Sequence, residues 1–137
     1  MDMETKQVEW REAAIDGVQR YSDLICTAEG MVFGIADRTL LFAFDAQRRQ
    51  IVHQENLEGR LGLAVHQQGP RIFVPSPDGR IFMLFQKGIA EVDPKTCAVT
   101  LRAEPPRAPA NGGAYLDGRI YYSTGVNLHS WEVPPAK

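Results

Sequence analysis

Arg20 and Tyr21 stand side by side, and Arg60, His66, Gln67, Gln68 and Arg71 fall within twelve residues of one another. These are the groups best suited to hold a polar ligand. An arginine fork gives a carboxylate two parallel N–H donors, and a tyrosine ring stacks on a sugar or other planar face. Gly62 and Gly69 flank His66-Gln67-Gln68, as suits a binding loop, and Asn127 adds an amide near a later turn. The plainer alternative is a solvated loop in which the two glutamines bond the backbone. On that reading Arg20 and Tyr21 are anchored to Asp16 or Asp23.

Chemistry beyond binding has little to stand on. Of the three histidines, His53 falls in a strand and reads as a surface residue at the rim. His129, beside Trp131, reads as packed and hydrogen-bonded, and His66 alone lies in a long loop. One histidine without a carboxylate nearby is a poor metal site or general base. No phosphate-cradling glycine motif, nucleophile elbow or Cys–His pair occurs. No catalytic residue, metal ligand or cofactor is assigned, and catalysis is the less favoured reading. Cys26 and Cys97 are far apart and read as two free buried thiols, as in a reducing compartment.

The chain that must position these groups has 137 residues, enough for one domain. Fifteen Lys and Arg against 17 Asp and Glu leave no basic face for nucleic acid. No apolar run is long enough for a membrane helix and the charged start lacks the look of a signal peptide, so the expected setting is cytoplasmic. Twelve Gly and nine Pro predict short elements separated by turns.

Eleven β-rich runs follow Asp23: 24–28, 31–36, 40–44, 50–54, 71–74, 80–85, 89–92, 98–102, 114–116, 119–123 and 128–133. Their spacing predicts an all-β antiparallel fold. The one helical candidate, 12–25, carries Gly17 in its middle and has no Gly or Asn after Ile25, which argues against it.

Three segments repeat a pattern of acid, glycine, any residue, apolar residue, aromatic: Glu29-Gly30-Met31-Val32-Phe33, Asp78-Gly79-Arg80-Ile81-Phe82 and Asp117-Gly118-Arg119-Ile120-Tyr121. The glycines are 49 and 39 residues apart, a period typical of propeller blades. The acid-glycine pair predicts a tight primed hairpin, and strand alternation aims the aromatic between neighbouring blades. Asp45 and Asp93 predict side-chain-capped turns between third and fourth strands. A β-sandwich with coincidental turns is the alternative fold.

These motifs, with Val92-Asp93-Pro94-Lys95-Thr96, resemble the blades of bacterial NHL, quinoprotein-like and gluconolactonase-like propellers over about 110 residues. The resemblance implies a propeller fold. Related families include lactone hydrolases and streptogramin-type lyases, but none of their catalytic motifs can be placed here. It also implies ligand binding on the face that carries the long inter-blade loops.

The expected organisation is one domain of three four-stranded antiparallel blades, at 23–57, 58–104 and 105–137. Residues 1–22 would supply the strand that closes the last blade, bringing Trp10 near Trp131. Three blades do not close a ring, so the expected unit is a homodimer of half-propellers making six blades. The expected function is a non-catalytic binding or structural module, with a small polar or carbohydrate ligand as possible partner and no nucleic acid or membrane. The alternatives are a metal-assisted lyase or hydrolase and a protein-interaction scaffold.

Overall fold

The computed structural model describes residues 15, 17–65, 72–124 and 126–135. They form three antiparallel sheets. The first comprises β1 (Tyr21–Cys26), β2 (Met31–Ala36), β3 (Leu40–Asp45) and β4 (Gln50–Asn56), paired in chain order. A short helix, α1 (Glu58–Leu61), leads to the middle sheet: β5 (Phe73–Pro75), β6 (Ile81–Phe85), β7 (Gly88–Val92) and β8 (Val99–Ala103). The third sheet has three described strands, β9 (Asn111–Leu116), β10 (Arg119–Thr124) and β11 (Asn127–Glu132). Most of the expected closing segment 1–22, with Trp10, lies outside the described residues; of its described part, Tyr21 and Ser22 belong to β1, and Ile15 and Val18 pack with Ala36 and Phe42 of the first sheet.

The first two sheets share their turn chemistry atom for atom. Between β1 and β2, Gly30 N–H donates to Thr27 O (3.2 Å), Thr27 N–H to Met31 O (2.9 Å), and Met31 N–H to Thr27 Oγ1 (3.2 Å). Between β5 and β6 the same three bonds join Ser76, Gly79 and Arg80 at 3.1, 2.9 and 3.2 Å. A hydroxyl that caps the turn and a glycine at φ 88° in each case replace the primed two-residue turn the sequence predicts. Of the three acid-glycine pairs, Asp117-Gly118 alone, with φ 50° and 79°, has the positive φ at both central residues that a primed turn needs; the β2–β3 turn at Asp37-Arg38 has it too, at 51° and 62°.

The β3–β4 and β7–β8 turns match equally well. Asp45 Oδ1 accepts from Gln47 and Arg48 N–H at 3.0 and 3.2 Å, and Asp93 Oδ1 from Lys95 and Thr96 N–H at 2.7 and 3.3 Å. Both turns end on a left-handed residue, Arg49 (φ 56°) and Cys97 (φ 66°). The predicted aspartate caps are therefore present in both sheets.

The sheets pack face to face, with β5 in contact with β1 on one side and β9 on the other. One main core draws Phe33, Ile35 and Leu41 from the first sheet, Phe82 to Phe85 from the middle and Ile120 and Tyr122 from the third. Every residue of β6 is buried, because that strand is covered on both faces. Asp23 ties two sheets directly, since its Oδ2 accepts from Ile72 and Phe73 N–H at 2.9 and 3.0 Å. Gly113 is small for a packing reason: a Cβ there would lie 3.0 Å from Leu84 and 3.2 Å from Val74.

Two local expectations fail. Cys97 is buried but Cys26 is exposed, because alternation along β1 turns it to the far face of the first sheet with Leu24. His53 is half-buried rather than a surface residue, opposite Ala43, with its Nε2 enclosed and without a hydrogen bond among the described residues.

Candidate functional site

Of the residues singled out for ligand binding, His66, Gln67, Gln68 and Arg71 lie outside the described residues. The remaining four are not brought together. Arg20 is exposed, and its backbone N–H, like that of Gln19, donates to the Asp37 carboxylate, at 2.9 Å for Arg20. Among the described residues the anchor is the Asp37 carboxylate, while Asp23 is engaged elsewhere by Ile72 and Phe73 N–H; Asp16 lies outside the described residues. Tyr21 packs edge-on against Phe42, with ring centroids 5.6 Å apart. Arg60 is spent on structure: it donates to Glu55 Oε2 and to the Val99 carbonyl, both at 2.8 Å, and so ties α1 to β8. Asn127 is exposed at the start of β11, opposite Thr124. His129 is hydrogen-bonded as expected, with Nε2 2.6 Å from Thr124 Oγ1 and its ring stacked on Tyr122.

The described residues converge instead at the opposite end of the middle sheet, where the hairpin turns lie. A cleft of about 980 Å³ is lined there by Asp78, Arg80, Glu91, Lys95, Thr100 and Arg102, with Pro134 and Pro135 at one wall. Glu91 is its centre. It takes two N–H bonds from Arg80, Nε and Nη2 both at 2.9 Å, and a third from Arg102 Nε at 2.9 Å. Arg80 also donates from Nη1 to the Pro134 carbonyl at 2.7 Å and lies 4.9 Å from the Phe82 ring centroid. One guanidinium thus ties the middle sheet to the segment after β11.

Strand pairing explains the convergence. Glu91 is the register partner of Phe82 and Thr100 is that of Glu91, so the three share the face turned to the third sheet. Arg80, two residues before Phe82, and Arg102, two after Thr100, fall on that face as well. The side chains of Arg80 and Glu91 are only 12% and 13% exposed. The paired guanidinium groups hold the Glu91 carboxyl below its ordinary value, against a burial cost, and Glu91 in turn raises Arg80. Asp78 is lowered by the Ser76 hydroxyl.

In the sequence Arg80 belongs to the repeated motif 78–82 and Glu91 to the strand run 89–92, and neither stands out as a site residue. The signal that finds them is the register itself: the residue opposite the repeat aromatic is Ala43 in the first sheet, Glu91 in the middle and Ser130 in the third. A carboxylate at an otherwise small-residue position needs cations, and the sequence places Arg80 and Arg102 one strand away on either side.

No family model matches the chain, and no curated protein does. Among solved structures it is similar to the extracellular domain of a protein described as a one-component system from B. thetaiotaomicron, at 15% identity and a TM-score of 0.59. The match covers 82% of this chain and 15% of that one. At this identity the likeness concerns the fold alone: an all-β array of antiparallel sheets.

Proposed function

We propose that the chain is a half-propeller, a non-catalytic binding or structural module of three blades that joins a second copy to close a six-bladed ring. The observation that carries this is where the repeat aromatics point. Phe33 is buried in the core shared with the middle sheet, and Phe82 meets Trp131 of the third sheet at 5.9 Å. Tyr121, at the same repeat position, turns to the far face of the third sheet and is half-buried. Each blade aims its aromatic at the next blade, and the third aims at a blade the partner supplies.

The two faces suit one another. Tyr121 is flanked by Leu116 and Leu128, which are 59% and 76% exposed. The far face of the first sheet offers Tyr21 and Leu24, at 43% and 55%. Burying about 500 Å² of apolar surface at each junction contributes on the order of 12 kcal/mol before association costs. A two-fold arrangement makes this junction twice, third blade to first. A small polar or carbohydrate ligand on the long-loop face remains part of this reading.

The test is a pair of charge insertions, Tyr121→Asp on one face and Leu24→Asp on the other, with mass followed by light scattering. Each alone is expected to halve the mass while leaving the circular dichroism of the fold in place. Unchanged mass in both would overturn the proposal.

A further inference from the structure

The cleft at the turn end of the middle sheet carries an uncommitted cation. Arg80, Glu91 and Arg102 together hold two positive charges and one negative, so the cluster has one positive charge in surplus. That surplus sits beside groups 12% and 13% exposed, where water screens it less than on an open surface. Arg80 spends Nε and both terminal amino groups. Arg102 spends only Nε, and among the described residues its two terminal amino groups have no partner. The side chain is 39% exposed, and Glu91 fixes it by that single bond. A guanidinium held at Nε with its outer edge free is the geometry that takes a planar carboxylate in two parallel bonds.

The surroundings narrow the ligand. Lys95, exposed and without an ion pair among the described residues, lines the same cleft, as does the Thr100 hydroxyl. Glu29, Asp78 and Asp93 line it too. Asp78 accepts from the Ser76 hydroxyl and Asp93 from its turn amides, and neither forms an ion pair with Arg102 among the described residues, although both keep their negative charge. That charge opposes a dianion such as phosphate and favours an ammonium group carried by the same ligand. From this we infer that the cleft binds a small dipolar carboxylate of the amino-acid or short-peptide type. Its carboxylate lies on Arg102, supported by Lys95, and its ammonium faces the acidic turns. Its carboxylate contacts come from the middle sheet, with Glu29 of the β1–β2 turn and Pro134 and Pro135 completing the cleft, and it does not depend on ring closure.

Amide NMR titration of the intact chain with glycylglycine, acetate and inorganic phosphate tests it. Glycylglycine and acetate are expected to shift Lys95, Thr100 and Arg102 saturably. Glycylglycine should bind about fivefold more tightly because the acidic turns add a partner for its amine. Arg102→Gln is expected to weaken both by about tenfold, with Arg102→Lys in between because it keeps the charge and loses the fork. Lys95→Gln, an exposed turn change that spares the Glu91 cluster, is expected to weaken binding by about threefold and stands in if the Arg102 variants do not fold. The inference is overturned if neither carboxylate saturates, if phosphate binds more tightly than glycylglycine, or if saturation survives Arg102→Gln unchanged.

Discussion

The middle and third sheets carry the same repeat and differ in what covers them. In β6 the run Ile81-Phe82-Met83-Leu84-Phe85 is buried throughout, whereas in β10 Ile120, Tyr122 and Thr124 are buried and Arg119, Tyr121 and Ser123 between them are half-buried. A strand covered on both faces is apolar throughout and a strand covered on one face alternates. The alternation in β10 is not fully polar, because Tyr121, with Leu116 and Leu128 beside it, leaves an apolar patch among Arg119, Ser130 and Glu132. The far face of the third sheet is thus intermediate between a core and a solvent surface, as suits a reversible junction.

The largest expected effect breaks the comparison at its centre. Phe82→Ala empties a fully buried site between two sheets and is expected to cost about 3–5 kcal/mol in urea unfolding, while Tyr121→Ala costs under about 1 kcal/mol in the dissociated chain. Equal losses would mean that the two repeat positions are packed alike.

Glu91→Gln comes next. It leaves two guanidinium groups without their carboxylate and is expected to cost about 2 kcal/mol, less than for a fully buried pair because Arg102 reaches solvent. The wild type carries a pH signature of the same contact. The Glu91 carboxyl is lowered in the fold, so its contribution is complete above the ordinary carboxylate range and is lost as pH falls through the lowered folded value. In Glu91→Gln the acid limb of the stability curve should flatten. An unchanged limb would assign acid sensitivity to other carboxylates.

Much of the fold was legible because turns announce themselves. The run 31–36 coincides with β2, and the Asp45 and Asp93 caps occur as their residue types dictate. The edges that shifted have local causes. β1 begins three residues earlier than expected, with an irregular register between Tyr21 and Asp23 that no sequence periodicity records. β9 extends back through Gly112 and Gly113, residues that read as a loop, and Gly113 serves here as a close-approach position. α1 escaped notice because four residues carry no period. The candidate site was less legible, because Arg80, Glu91 and Arg102 meet only across strands.

Smaller effects sharpen the likeness between the first and middle sheets. Asp45→Ala and Asp93→Ala each remove two bonds to turn amides and are each expected to cost about 1 kcal/mol. A difference above that size would show that one turn does more than close its hairpin. The cysteines offer a covalent readout: exposed Cys26 should alkylate at least about tenfold faster than Cys97, whose thiol burial pushes up. Mass spectrometry of a timed iodoacetamide reaction measures both, and equal rates would contradict the burial of Cys97.

The exposed apolar residues of the first and third sheets, Leu24 with Tyr21 and Leu116 with Leu128, underlie one proposal, and the mass of the particle in solution tests it most directly. Sedimentation equilibrium across the micromolar range is predicted to give twice the 15.3 kDa chain mass, with dissociation only on dilution. A stable monomer at those concentrations would contradict the half-propeller account.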